Sequence, residues 1–140
     1  LHKNNSSLVL LLLALIWASD IGAYLAGTAF GKNKLCPKVS PGKTIEGALG
    51  GIILSLVVGA LYVLIATEKP TIENYLNFGV LSLIISLVSI LGDLFESTLK
   101  RIANIKDSGK ILPGHGGLLD RIDSLTCGAP IFFLLFSFLI

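Results

Sequence analysis

Long apolar runs are the sequence feature that most limits what this chain can fold into. A helix needs about 20 apolar residues to cross the hydrocarbon core of a bilayer, and the 140-residue chain contains three such runs and a shorter fourth. Only 14% of the residues are charged, against about 25% in soluble domains, which excludes a soluble globular fold. We predict an all-α, polytopic membrane helix bundle with about four transmembrane helices, at 8–30, 45–66, 75–94 and 125–140.

Basic residues are concentrated in two of the loops between these runs. Nine of the eleven Lys and Arg residues lie in 31–44 and 95–124, whereas 67–74 carries two acids and one lysine. The positive-inside rule places the two basic loops in the cytoplasm. We therefore expect a multi-pass protein of the inner (plasma) membrane, in which both basic loops meet to form one site that faces the cytoplasm.

A polar stretch, 92–124, separates the third and fourth apolar runs. It holds five of the nine carboxylates and five of the eleven basic residues, arranged around a glycine-rich turn at 113–117. Carboxylates bind hard divalent cations, and basic side chains and exposed backbone N–H groups bind phosphates. The combination indicates a metal-assisted phosphate site at a membrane surface.

The third predicted helix continues beyond the membrane to about Ile102 and carries four polar residues on one face, Asp93, Glu96, Ser97 and Lys100. Ion pairs on a solvated face would explain Glu96 and Lys100. They explain Asp93 less well, because it lies at the edge of the apolar run, where acids face a bundle interior or a cavity. Asp93 is therefore a candidate metal ligand.

Two further acids, Asp120 and Asp123, lie one helical turn apart at the start of the fourth helix. They could share a divalent cation, or they could simply complement the dipole at a helix N-terminus. His115, which precedes Gly116 and Gly117, could be a metal ligand, a proton carrier or a residue that orients the glycine turn through hydrogen bonds. The residues alone leave these alternatives open.

The first run contains one acid, Asp20, which shares a helical face with Tyr24 and Thr28. A carboxylate inside a membrane span costs several kcal/mol unless it has a partner, so it marks either a function or a hydrogen bond to a neighbouring helix. The glycines at the start of the second run, Gly47, Gly50 and Gly51, are expected to allow close helix packing.

The second predicted helix begins in Ser40–Glu46, where Pro41 and Gly42 indicate a turn and Thr44 can cap the helix. Lys43 lies at this helix start, where backbone N–H groups point at bound anions, and it is a candidate phosphate ligand. The other lysines of the loop are explained by the positive-inside bias and by attraction to anionic lipids; they are Lys32, Lys34 and Lys38.

Three stretches resemble the signatures of the phosphatidate cytidylyltransferases, also called CDP-diacylglycerol synthases: Asp20–Gly27, Ser40–Gly47 and, above all, Ser97–Asp123. The last reads Ser-x-Leu-Lys-Arg, Lys-Asp, then Leu-Pro-Gly-His-Gly-Gly-Leu-Leu-Asp-Arg-Ile-Asp. The resemblance implies a reaction of CTP with phosphatidate that gives CDP-diacylglycerol and pyrophosphate. It also implies dependence on Mg²⁺, a homodimer, and a longer protein of which residues 1–140 are the C-terminal catalytic membrane domain. A second cation beside Mg²⁺ is left open.

The resemblance also implies roles for single residues. The expected metal ligands are Asp93, Asp120 and Asp123, of which Asp123 could instead lie beside the ligands without touching the ion. The other expected catalytic residues are Lys43, Lys100, Arg101, Lys106, His115 and Arg121. Phosphate binding is expected from the lysines and arginines of this set and from Ser40, Thr44, Ser97, Gly116 and Gly117.

Several alternatives are compatible with the same residues. A CDP-archaeol synthase, or a polyprenol or phytol kinase that uses CTP, would have the same site with another lipid. A magnesium or proton transporter could use Asp20, Asp93 and Asp120, but such a path should cross the bilayer, and these acids gather near one face. The chain could also be a non-catalytic fragment that assembles with a partner. We expect no nucleic-acid partner.

Overall fold

The computed structural model describes residues 2–103 and 119–139 and contains four helices and a β-hairpin within them. The helices are α1 (His2–Phe30), α2 (Ile45–Ala66), α3 (Ile72–Ile102) and α4 (Leu119–Leu139), and the strands are β1 (Lys34–Cys36) and β2 (Ser40–Thr44). In the described part of the chain, α1, α2 and α3 are long and apolar enough to cross a membrane, and α4 contains a shorter apolar segment, Cys127–Phe138. The predicted membrane helix bundle is confirmed.

The ends of α2 and α3 follow from local capping chemistry. The Thr44 side chain accepts a hydrogen bond from the Gly47 N–H at 3.1 Å and caps α2, as the sequence predicts. Helix α3 begins earlier than predicted, because Thr71 and Asn74 form a capping box before the apolar run starts. At its other end α3 continues to Ile102, as expected.

A cluster of large apolar side chains fills one end of the bundle, which we call the apolar end. Leu15 of α1, Val63 of α2, Leu81 and Ile85 of α3, and Phe132 of α4 are all fully buried there. Since lipid is as apolar as these side chains, the gain comes from close packing rather than from removal of water.

Glycines bring α1 and α2 into close contact toward the other end. A Cβ atom on Gly50 would overlap the Cβ of Ala26 and would lie 2.8 Å from the Gly22 carbonyl oxygen. The buried face of α2 repeats every four residues, at Gly47, Gly51, Ser55, Gly59 and Val63. The predicted use of the glycines in helix packing is confirmed.

Between the two ends, buried serines on α3 form hydrogen bonds within the bundle. The Ser82 hydroxyl donates to the Phe78 carbonyl of its own helix at 2.7 Å. The Ser55 hydroxyl donates to the Ser82 carbonyl at 3.4 Å, and Ser19 and Ser86 share a hydrogen bond at 3.1 Å. Hydroxyl groups in membrane helices bond across the interface in this way because lipid offers no partner.

The β-hairpin between α1 and α2 corrects the prediction of a turn at Ser40–Gly42. The turn lies earlier, where the Val39 N–H donates to the Cys36 carbonyl at 3.2 Å, and Ser40–Thr44 is an extended strand. The antiparallel pairing joins Lys34 to Thr44 and Cys36 to Ser40, with a bulge between the two pairs. Pro41 is tolerated because a two-stranded sheet consists of edge strands only. We call this end of the bundle the hairpin end.

Candidate active site

A cavity of about 480 Å³ lies at the hairpin end, between α1, the hairpin, the start of α2 and α3. Its volume is in the range of small-molecule sites, which is roughly 300–1,000 Å³. Polar side chains from α1, the hairpin and α3 reach it, and they are Ser19, Asp20, Tyr24, Thr28, Lys43, Thr44, Ser89 and Asp93.

Lys43 and Asp93, which both line the cavity, form an ion pair. Lys43 is the residue before the N-cap of α2, so the end of strand β2 fixes its backbone. Asp93 lies on α3, and the two side chains are 26% and 40% exposed. The sequence predicts different roles for these two residues: Lys43 as a phosphate ligand and Asp93 as a metal ligand.

Asp20 faces the same cavity from α1. Tyr24 and Thr28 line the cavity beside it, as their shared helical face predicts. The Thr28 hydroxyl donates to the carbonyls of Tyr24 at 2.9 Å and Leu25 at 3.0 Å. The carboxylate of Asp20 was not among the predicted catalytic residues, and the structure adds it to the site.

The hairpin is held over the site from both sides. On the α2 side the Asn33 side-chain amide donates to the Glu46 carboxylate at 2.7 Å, and the Asn33 backbone N–H donates to both Glu46 oxygens at 3.2 Å. On the α3 side Arg101 Nε donates to the Val39 carbonyl at 3.4 Å. The first basic loop therefore contacts the described beginning of the second one, while the prediction that the two loops form one site stays a prediction because 104–118 lie outside the described residues.

The remaining predicted residues whose side chains are described do not line the cavity. Ser40 begins strand β2, and Ser97 and Lys100 lie on α3 beyond Asp93. Lys100 Nζ lies 3.3 Å from Glu96 Oε1, which is the helical ion pair that the spacing suggests. Arg101 contacts the hairpin.

Other predicted residues remain untested. Lys106, His115, Gly116 and Gly117 lie outside the described residues. Three more predicted residues belong to the first turns of α4, but their side chains are not among those that the structure describes; they are Asp120, Arg121 and Asp123. Of the three predicted metal ligands only Asp93 has a described side chain, and among the described residues no three His, Cys, Asp or Glu side chains come together. The proposed ligand set stays a prediction.

Sequence reasoning missed the buried serines Ser19, Ser86 and Ser89. Ser19 and Ser89 line the cavity, and Ser19 is bonded to Ser86. A signal was available in the apolar run of α3, where serines recur at positions 82, 86 and 89. Polar residues inside a membrane span face the bundle interior or a cavity, and this holds for serines as well as for acids.

The fold and the site define a multi-pass membrane protein with a charged cavity at one end of its helices. Residues 2–139 match the model of the cytidylyltransferase family. The chain is 46% identical over 134 residues to a phosphatidate cytidylyltransferase of Haemophilus influenzae, covering 95% of this chain and 46% of the relative. It is 47% identical over 122 residues to a phosphatidate cytidylyltransferase of Bacillus subtilis, covering 87% of this chain and 44% of the relative.

A solved structure described as an intramembrane enzyme for archaeal membrane lipids biosynthesis has the same fold. The TM-score is 0.60 at 22% sequence identity, with 88% of this chain and 77% of that chain covered. The chain therefore belongs to the cytidylyltransferase family, as the motifs predict. It spans less than half the length of the two curated relatives.

Proposed function

We propose that this chain forms the catalytic part of a membrane enzyme that converts CTP and phosphatidate to CDP-diacylglycerol and pyrophosphate. The observation that carries the proposal is the cavity at the hairpin end, where the Lys43–Asp93 ion pair and Asp20 line one space beside apolar membrane helices. The names of the relatives from Haemophilus influenzae and Bacillus subtilis support the same reaction.

The reaction requires that the substrate phosphates are positioned and that their charge is neutralised, and it does not require a strong base. A phosphate oxygen of phosphatidate attacks the α-phosphorus of CTP, the bond from that phosphorus to the β-phosphate oxygen breaks, and pyrophosphate leaves. The attacking phosphate is already ionised near neutral pH. Lys43 would hold one of the phosphate groups, and Lys100, Arg101, Lys106 and Arg121 would add positive charge around them.

The Lys43–Asp93 ion pair suits a site that receives a phosphate and a cation together. Each side chain neutralises the other while both are half-buried, which lowers the cost of holding charge there. A bound phosphate would replace Asp93 as the partner of Lys43, and a bound cation would replace Lys43 as the partner of Asp93. The charges of the site would then stay balanced with ligands as well as without them.

Mg²⁺ is the metal ion that we infer for this site. The described lining residues offer carboxylate and hydroxyl oxygens and no imidazole or thiol, which is the donor set that hard cations prefer. Asp93 would hold the ion with Asp120 and Asp123, as the family motif implies. When bound, the ion would neutralise negative charge on the triphosphate.

The placement of the substrates follows from their solubility. CTP is water-soluble and phosphatidate is held in the bilayer, so we place the hairpin end at the cytoplasmic face of the inner membrane. The lysines of the hairpin agree with this orientation under the positive-inside rule. Lipid tails would enter from the bilayer between the helices. We also expect the enzyme to be a homodimer, which mass measurement in detergent would test.

A cation transporter fits the described residues less well. A transport path needs polar groups across the bilayer, but in residues 2–103 and 119–139 the apolar end is filled by side chains such as Leu15, Leu81 and Phe132. Related enzymes that act on another lipid, including CDP-archaeol synthases and polyprenol or phytol kinases, would use the same site.

The deciding experiment is pyrophosphate release by the full-length protein in detergent. CTP is supplied with phosphatidate or an archaeol-based lipid phosphate substrate, with and without Mg²⁺. With a polyprenol, CDP release is followed instead, because a kinase transfers the γ-phosphate of CTP to the alcohol and leaves CDP. We expect Asp93→Asn to lower the rate about 100-fold or more, because charge stabilisation at the reacting phosphates is lost.

Glu73→Gln is the matched control, since Glu73 is an exposed acid in the first turn of the same helix and should leave the rate unchanged. Pyrophosphate release with the archaeol-based lipid, or CDP release with a polyprenol, and no turnover of phosphatidate would change the substrate assignment. Full activity of a folded Asp93→Asn protein would overturn the proposed site.

A further inference from the structure

Ser89 is a buried residue of the cavity wall whose hydroxyl group has no hydrogen-bond partner among the residues that the structure describes. The residue is 1% exposed. Leaving a buried hydroxyl without a hydrogen bond costs roughly 1–3 kcal/mol in proteins. Such a group in a native fold therefore calls for a physical reason.

The neighbouring serines of α3 show that a buried hydroxyl on this helix can find a hydrogen-bond partner within the bundle. Ser82 bonds to the carbonyl four residues earlier in its own helix, and Ser86 bonds to Ser19 of α1. Ser89 makes neither kind of bond in the described part of the chain. Unlike Ser82 and Ser86, it lines the cavity.

The position of Ser89 relative to the charged residues identifies the kind of atom that it would meet. Ser89 lies one helical turn before Asp93, so the Cβ atoms of the two residues are about 5–6 Å apart. Asp93 contacts Lys43. A phosphate group held by Lys43 would lie within reach of a hydroxyl one turn away, and a phosphate oxygen is a charged acceptor for that hydroxyl.

We propose that Ser89 donates a hydrogen bond to a phosphate oxygen of bound substrate and thereby positions that phosphate against Lys43. The inference deepens the proposed function and rests on it. Both substrates carry phosphate, so the shared chemistry is the phosphate group, and kinetics decide whether it belongs to CTP or to phosphatidate.

Ser89→Ala separates this role from a role in folding. The substitution removes an unpartnered buried hydroxyl, so the melting temperature should stay equal to that of the wild type or rise. The loss of a hydrogen bond to a charged group should lower kcat/KM by about tenfold or more. A rise in the KM for CTP alone assigns the contact to the nucleotide, and a rise in the KM for phosphatidate alone assigns it to the lipid.

Two variants serve as controls on the same helix. Ser82→Ala removes a hydroxyl that is equally buried but bonded within the helix and away from the cavity, and its kinetic constants should match the wild type. Ser89→Cys keeps nearly the same shape with a weaker donor, and its kcat/KM should fall between those of Ser89→Ala and the wild type. Unchanged kcat/KM values in Ser89→Ala, or a loss of activity that follows a fall in melting temperature, would overturn the role.

A binding measurement distinguishes failure of this inference from failure of the proposed reaction. The melting temperature of the full-length protein is measured with CTP and with inorganic pyrophosphate, for wild type and Ser89→Ala. If the wild type shows no turnover but either compound stabilises it, a smaller shift in Ser89→Ala keeps the phosphate contact while the reaction fails. An equal shift in both proteins, or no shift in the wild type together with no turnover, overturns the contact.

Discussion

At the apolar end of the bundle, large side chains fill the space between the helices, whereas at the hairpin end small residues leave a cavity of about 480 Å³. Leu15, Leu81 and Ile85 are fully buried between the helices at the apolar end. Toward the hairpin end, the smaller residues Ser19, Gly47 and Ser89 line the cavity. The same helices therefore serve two purposes along their length. Packing at one end holds the helices in place, and glycine contacts at the other allow polar groups from three elements to face one space.

This comparison predicts that stability and activity respond separately to substitutions at the two ends. The largest effect on stability is expected from Phe132→Ala at the apolar end. Phe132 is fully buried and packs against Phe133 and Phe136, with ring centroids 5.6 Å and 6.1 Å away. Removing the ring leaves a cavity and should cost about 3 kcal/mol or more.

Unfolding in mixed detergent micelles measures the cost of Phe132→Ala. Phe138→Ala is the matched control, because that ring is 80% exposed and its loss should change stability little. The kcat of the folded Phe132→Ala protein should equal that of the wild type. A lowered kcat well below the melting temperature would show that the two ends are coupled and would break the comparison.

A smaller effect that reaches both stability and activity is expected from Gly50→Ala. The added methyl group meets Ala26 and the Gly22 carbonyl, so α1 and α2 must separate, at a cost of about 1–3 kcal/mol. Because both helices line the cavity, pyrophosphate release should fall as well. Gly79→Ala is the control, since a Cβ there meets nothing within 4 Å. Equal stability of the two variants would contradict the close helix contact.

The smallest effects are expected at the two helix N-caps, which lie at opposite ends of the bundle. Thr44→Ala and Thr71→Ala each remove a side-chain cap and should each cost about 1 kcal/mol of stability. Thr44 lines the cavity, so its substitution should also lower kcat/KM, whereas Thr71→Ala should leave kcat/KM unchanged. Thr44→Ser keeps the capping oxygen and should restore both properties. Equal losses of kcat/KM in the two alanine variants would show that stability and activity do not respond separately at the two ends.

Properties that depend on neighbouring residues in the chain could be predicted from the sequence. The length of each apolar run decides whether a helix can cross a membrane, and helical spacing places Asp20, Tyr24 and Thr28 on one face. The cap at Thr44 depends on residues within one turn of it. The motif Ser97–Asp123 identified the family, although most of its residues lie outside the described part of the chain.

Only the tertiary structure decided which of these local features meet. The sequence contains no sign that Lys43 pairs with Asp93, that Ser19 bonds to Ser86, or that the loop 31–44 forms a hairpin anchored by Glu46. The helices are apolar nearly all round, because lipid accepts the same side chains as the bundle interior. Apolar periodicity therefore does not reveal which face of each helix meets its neighbours. That choice rests on the shape of small residues such as Gly22 and Gly50, and it is the choice that creates the cavity.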